Sequence, residues 1–330
     1  PEAAADAGRG PPRPAGGPGG SLSTARPLTL GNPRAGGEVR PAPAARPQRA
    51  GLVPYLLVAP LALVFLLFFV VPVVLVLVVS FFEYEAYDML IPAFTFANYV
   101  DVFSQRVTWD TYLKTLQFCV SVWAITSVLG FTLAYFLAFY VRTLTWQITL
   151  FLICTIPFWT SNVIRMISWI PLLGRNGLVN AALQGLGVTS EPQEWLLYSD
   201  FSVTLGFVHL YTLFMLVPIF NSMARIDRAL LEAAADCGAS EWQTVRHVIL
   251  PLAKPGIAIG SIFVLTVVMG DFVTVNVLGG GKVASIGKSI NTELGYLQFP
   301  PAAANAMVLL AVVVLMIVAL TRLVDVRKEL

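Results

Sequence analysis

Long apolar runs separated by short polar segments dominate this chain. A helix crossing a bilayer needs about 20 apolar residues, and four charge-free windows exceed that length: residues 51–82, 115–141, 201–224 and 294–321. Two further windows are each interrupted by a single charge, 143–174 by Arg165 and 255–281 by Asp271. The pattern predicts an all-α, polytopic membrane protein with six transmembrane helices. The first window is longer than the apolar core of a cleaved secretory signal, about 7–15 residues, and is expected to stay in the membrane.

Composition sharpens this division. The chain is 57% hydrophobic and only 12% charged, against roughly 25% charged residues in soluble domains. Residues 1–50 are a different material, rich in Pro, Ala, Gly and Arg with little to bury, and are expected to form a disordered cytoplasmic tail before a transmembrane domain over 51–330. The arginines of that tail could touch anionic lipid headgroups, though a solvated tail explains them as well. Cys119, Cys154 and Cys237 lack metal-ligand spacing, and His209 and His247 stand apart, so no metal or redox site is expected.

Charge also orients the chain. With both termini in the cytoplasm, Arg142, Arg225, Arg228, Arg246, Lys254, Arg322, Arg327 and Lys328 join the tail arginines on that side. The opposite side keeps Arg106, Arg175, Lys282 and Lys288, in accord with the positive-inside rule.

The stretch GGGKVASIGKS, residues 279–289, is one residue short of the G-x-x-x-x-G-K-[ST] phosphate loop, since Lys282 stands where the first glycine is needed. It also falls on the outer side, away from ATP. Its glycines are expected to make a tight turn at the outer end of the fifth span.

A loop at about 225–254 has structure of its own. Asp227 is placed to cap a short helix closed by Gly238 in the left-handed conformation. Ser240 and Gln243 form an S-x-x-Q capping box for a second helix, with Trp242, Val245 and Ile249 on one face and Pro251 as its stop. Such a knob serves either as a docking element or as a hairpin packing on its own bundle. Glu232-Ala233-Ala234, Gly238, Val248 and Leu250-Pro251 resemble the E-A-A-x3-G-x9-I-x-L-P signature of permease subunits of bacterial ATP-binding-cassette (ABC) importers, with Val248 in place of Ile. The resemblance implies a type I permease fold in which this loop is the coupling helix, docked on a separate ATPase subunit. It further implies a second permease subunit, an extracytoplasmic solute-binding protein, a bacterial inner-membrane location, and no cofactor, nucleic acid or enzymatic activity in this chain.

Residues 158–187 and 270–290 resemble the corresponding stretches of the first spermidine/putrescine permease subunit, departing at Val275-Asn276. The resemblance therefore implies a polyamine solute; relatives in the same importer class carry iron, thiamine, sulfate and opines. Charges at membrane depth face a partner or a water-filled path, so Arg165 and Asp271 are candidate pathway residues, with Trp159, Trp169 and Tyr211 as aromatic faces for an ammonium. The alternative is a structural ion pair between Arg165 and Asp271, and that reading is taken first. Rival classes are an ion-coupled secondary transporter, for which no internal repeat is found, and an intramembrane enzyme, for which His209 alone is no constellation.

Overall fold

The computed structural model describes residues 52–85 and 90–323. The expected tail, Asp88, Arg327 and Lys328 lie outside the described residues. Of the unit that ends at Val58 only the opening of α1 is described; the bundle lies in the unit that begins at Ala59.

Fourteen α-helices follow one another among the described residues: α1 (Leu52–Phe65), α2 (Val71–Val79), α3 (Ala97–Ser104), α4 (Arg106–Tyr135), α5 (Leu144–Thr155), α6 (Asn162–Leu173), α7 (Leu178–Gly185), α8 (Asp200–Met223), α9 (Arg228–Asp236), α10 (Glu241–Thr244), α11 (Leu250–Gly270), α12 (Val273–Gly279), α13 (Ile286–Gly295) and α14 (Phe299–Leu323). Five continuous helical stretches are long and apolar enough to cross a bilayer: Leu56–Val79, Arg106–Tyr140, Glu194–Met223, Glu241–Gly270 and Phe299–Arg322.

The predicted third span is not one straight helix. Its two halves, Leu144–Trp159 and Asn162–Gly185, meet at a 91° bend. Pro157 tightens the end of the first half into a 3₁₀ turn, Ile156–Trp159, and Thr160 then turns extended. A proline cannot donate the bond that would continue an α-helix, so the chain leaves the helical path here. The count is six spans when this broken pair is taken as one.

The core is built where α4, α8 and α11 pack together. Met215 of α8 is fully buried between two glycines, Gly130 of α4 and Gly260 of α11. A Cβ on Gly130 would come within 2.9 Å of Met215 Cγ, and one on Gly260 within 2.7 Å of its Sδ. Small residues let membrane helices approach closely when lipid offers no hydrophobic drive for their association. Polar side chains add ties: Trp123 Nε1 of α4 donates to Ser261 Oγ of α11 at 2.8 Å, and Ser202 Oγ of α8 to the Leu278 carbonyl of α12 at 3.0 Å.

Candidate docking loop and transport pathway

The loop after α8 folds largely as its local signals dictate. The Asp227 side chain accepts from the Ala229 N–H at 3.0 Å, capping α9. Gly238 ends the turn at φ +78°, with nothing within 4 Å of where a Cβ would stand. The backbone conformation, rather than crowding, requires glycine there. Ser240 Oγ accepts from the Gln243 N–H at 3.3 Å and Gln243 Oε1 from the Ser240 N–H at 2.8 Å, completing the capping box.

Two expectations for this loop are corrected. Pro251 does not stop the second helix, which runs without interruption from Glu241 to Gly270 into the fifth span. A π-helical turn, Val245–Ile249, precedes the proline, and the Leu250 N–H reaches the Val245 carbonyl across the wider ring. One extra residue in the turn relieves the clash that a proline ring makes with the carbonyl four positions earlier. Trp242 is also 71% exposed, whereas Ile249 is buried, so the two do not share a packed face. The knob is therefore one free helix, α9, hinged at Gly238 to the first turn of a spanning helix.

The faces of α9 differ. Leu231, half-buried, and Ala235, exposed, line a cavity of about 450 Å³ together with Tyr135, Tyr140, Arg142 and Glu241. Glu232 and Ala233 are exposed and Ala234 half-buried. Val248 and Pro251 are partly covered, while Leu250 is 39% exposed. The signature residues thus divide between an outward surface and the base of the hinge.

At the far end of α11, Asp271 stands outside any helix, in the break before α12. It was expected within a continuous fifth span; the span ends one residue earlier. Its carboxylate accepts from the Tyr211 hydroxyl, from Thr274 Oγ1 at 2.7 Å and from the Thr274 N–H at 3.0 Å. Arg165 in α6 is 9% exposed and donates through Nη2 to Asn162 Oδ1 and the Thr160 carbonyl, while its Nε has no partner.

The expected ion pair between Arg165 and Asp271 does not form. Among the described residues the salt bridges are Arg106–Asp110, Lys114–Asp200 and Arg175–Glu194. Hydroxyl and amide donors close by take three acceptor positions of the Asp271 carboxylate, and acceptors at the start of the Arg165 helix take up one arm of the guanidinium. Tyr211, 3% exposed, thus belongs with Asp271. Trp169 donates from Nε1 to His209 Nδ1 at 3.1 Å, and His209 and Arg165 line one cavity of about 190 Å³. Trp159 is 85% exposed and joins neither group. Thr274 was missed in the sequence; its place three residues after Asp271, at a helix start, is the signal that could have found it.

The glycine-lysine stretch is a turn. Gly280 and Gly281 adopt φ +53° and +82° after α12 rather than directly after the fifth span. Ser285 caps α13, and Lys288 Nζ bonds the Val283 carbonyl at 2.9 Å.

The described residues thus set one short exposed helix, α9, between two of a series of spanning helices. The arrangement matches the bacterial ABC importer of the acidic polysaccharide alginate, with a TM-score of 0.67 over 84% of this chain and 95% of that one at 18% identity. No family profile matches the chain. The spermidine/putrescine transport system permease protein PotB of Haemophilus influenzae is 33% identical, over 69% of this chain and 79% of that one. PotB of Escherichia coli is 31% identical, over 78% and 92%. The chain belongs to this family of permease proteins.

Proposed function

We propose that this permease imports polyamines, as one of two subunits that form a solute path. The observation that carries the reading is the 33% and 31% identity to spermidine/putrescine permeases over most of both chains. Asp271 supports it: a carboxylate at the end of a span, half-buried, with hydroxyl partners but no cation within salt-bridge distance among the described residues. An ammonium passing Asp271 would supply the missing positive charge. Tyr211 then acts as a positioning residue for that carboxylate.

ATP hydrolysis belongs to a separate ATPase subunit. Glu232, Ala233, Ala234 and Gly238 form the surface that docks on it, and Val248, Leu250 and Pro251 the base that transmits the movement. Closure of the ATPase pair drives α9 as a lever and rocks the bundle between outward- and inward-facing states. A solute-binding protein delivers polyamine to the outer face; the neighbouring alginate importer has been captured with a periplasmic protein that carries its own ligand. The protein lies in the bacterial inner membrane among its lipids, with both termini cytoplasmic.

A second reading, a solute bearing an anionic group, is favoured by Arg165, buried without a carboxylate partner. Solute-stimulated ATP hydrolysis by the reconstituted complex separates the two. Stimulation by spermidine or putrescine, with none by sulfate, ferric iron or thiamine, supports the polyamine reading. Stimulation by sulfate alone replaces it with the anionic one.

A further inference from the structure

Glu293 of α13 and Asn305 of α14 share one hydrogen bond, Asn305 Nδ2 to Glu293 Oε1 at 2.8 Å. Each then has one oxygen left, Glu293 Oε2 and Asn305 Oδ1, and both are buried without a donor. The third member of the cluster, Tyr112 of α4, spends its hydroxyl hydrogen on the Asn305 carbonyl at 3.2 Å. Two sealed acceptors on one joined pair of planar groups lack a hydrogen. A buried polar group without a partner costs about 1–3 kcal/mol, and more when charged. Of these three side chains only the carboxyl can gain a hydrogen.

We propose that Glu293 is held as a neutral carboxylic acid, its O–H donating to Asn305, and that this proton locks α13 to the start of the last span. The acid and amide then match each other donor to acceptor at both ends. Deprotonation sends the proton to solvent, leaves two acceptors facing each other and releases the lock.

Surrounding charge does not oppose this. Among the helices packed on α13, Tyr112 is the titratable group in the cluster. Elsewhere α4 carries Arg106, Asp110, Lys114, Cys119 and Tyr135; Asp110 is bridged to Arg106 and Lys114 to Asp200. On α11 the one charge is Lys254, near its opposite end; α12 has none, and α14 has Arg322 at its far end. On α13 itself Lys288 is bonded to the Val283 carbonyl. Burial raises the Glu293 carboxyl above its ordinary value, against a smaller lowering by the Asn305 N–H. A folded value above the unfolded one makes the contribution complete below the ordinary glutamate pKa of 4.5. It is lost as pH rises through the raised value.

The test uses the full-length chain in lipid nanodiscs. Glu293→Gln places an amide donor and an acceptor where the acid has them, at every pH, whereas Glu293→Ala leaves Asn305 unpaired. The unmodified protein is expected to lose a few degrees of melting temperature as pH rises from the ordinary glutamate pKa of 4.5 through the raised value. Glu293→Gln is expected to hold the low-pH value throughout, and Glu293→Ala to melt lower at both ends of that range. The infrared band of a protonated carboxyl should persist above the pH at which exposed carboxyls have lost theirs and vanish in Glu293→Gln. Identical pH profiles for the unmodified protein and Glu293→Gln, or a band unchanged by that substitution, would overturn the proposal. If Glu293→Gln does not fold, the unmodified chain decides. A carboxyl band that outlasts those of the exposed carboxyls as pH rises supports the lock, and the lack of any such band refutes it.

Discussion

The Tyr211 hydroxyl of α8 donates to the Asp271 carboxylate at the point where α11 ends, linking two helices through one charged group. Thr274 holds the same carboxylate from the other side. Neutral donors on two sides thus fix the orientation of the Asp271 carboxylate, as the proposed cation path requires.

Asp271→Asn should fold, because one amide oxygen can still accept from Tyr211 and Thr274 Oγ1, but it loses the bond from the Thr274 N–H and removes the charge. Solute-stimulated ATP hydrolysis is expected to require polyamine concentrations about tenfold higher, a loss of roughly 1.4 kcal/mol. Unchanged dependence on spermidine and putrescine would remove Asp271 from the pathway. Tyr211→Phe should have a smaller effect on transport and cost about 1 kcal/mol of stability, the range for an interhelical bond in a membrane.

Gly238 is the position where the docking loop tolerates no side chain, because of its φ of +78°. Gly238→Ala should cost about 1–2 kcal/mol locally, and Gly238→Pro, whose ring forbids positive φ, should displace α9. Co-purification of the ATPase subunit is the readout; full recovery with Gly238→Pro would sink the docking assignment.

Glu232 is exposed and forms no salt bridge among the described residues. Glu232→Lys should leave the stability within about 0.5 kcal/mol of the unmodified protein and abolish ATPase association. Loss of both together would mean that the residue supports the fold instead.

Gly260 bears on the core alone. Gly260→Ala drives a methyl against Met215 and should destabilise by about 1–3 kcal/mol. Met215→Ala in the same chain clears the side chain but not the Met215 backbone, 3.2 Å from the new Cβ, so rescue should be partial. Additive losses in thermal unfolding would show that the two positions are not in contact.

Features governed by neighbours in sequence were legible there. The spans follow from uninterrupted apolar runs, because a helix in lipid satisfies its backbone within itself. The caps at Asp227 and Ser240 and the turn at Gly238 depend on bonds spanning two or three residues, so residue type and spacing were enough. Pro157 and Pro251 were less legible. Each removes the same donor, yet the chain bends by 91° after one and absorbs the other in a π turn. Packing around each proline decided between those outcomes. Arg165 and Asp271 looked like partners because both are charges at membrane depth. Only the tertiary structure could assign Tyr211 to Asp271, 60 residues away, and bond Asn305 to Glu293 across two helices. Polar groups inside a bundle take whatever donor the folded helices bring near, and no local spacing encodes which one that will be.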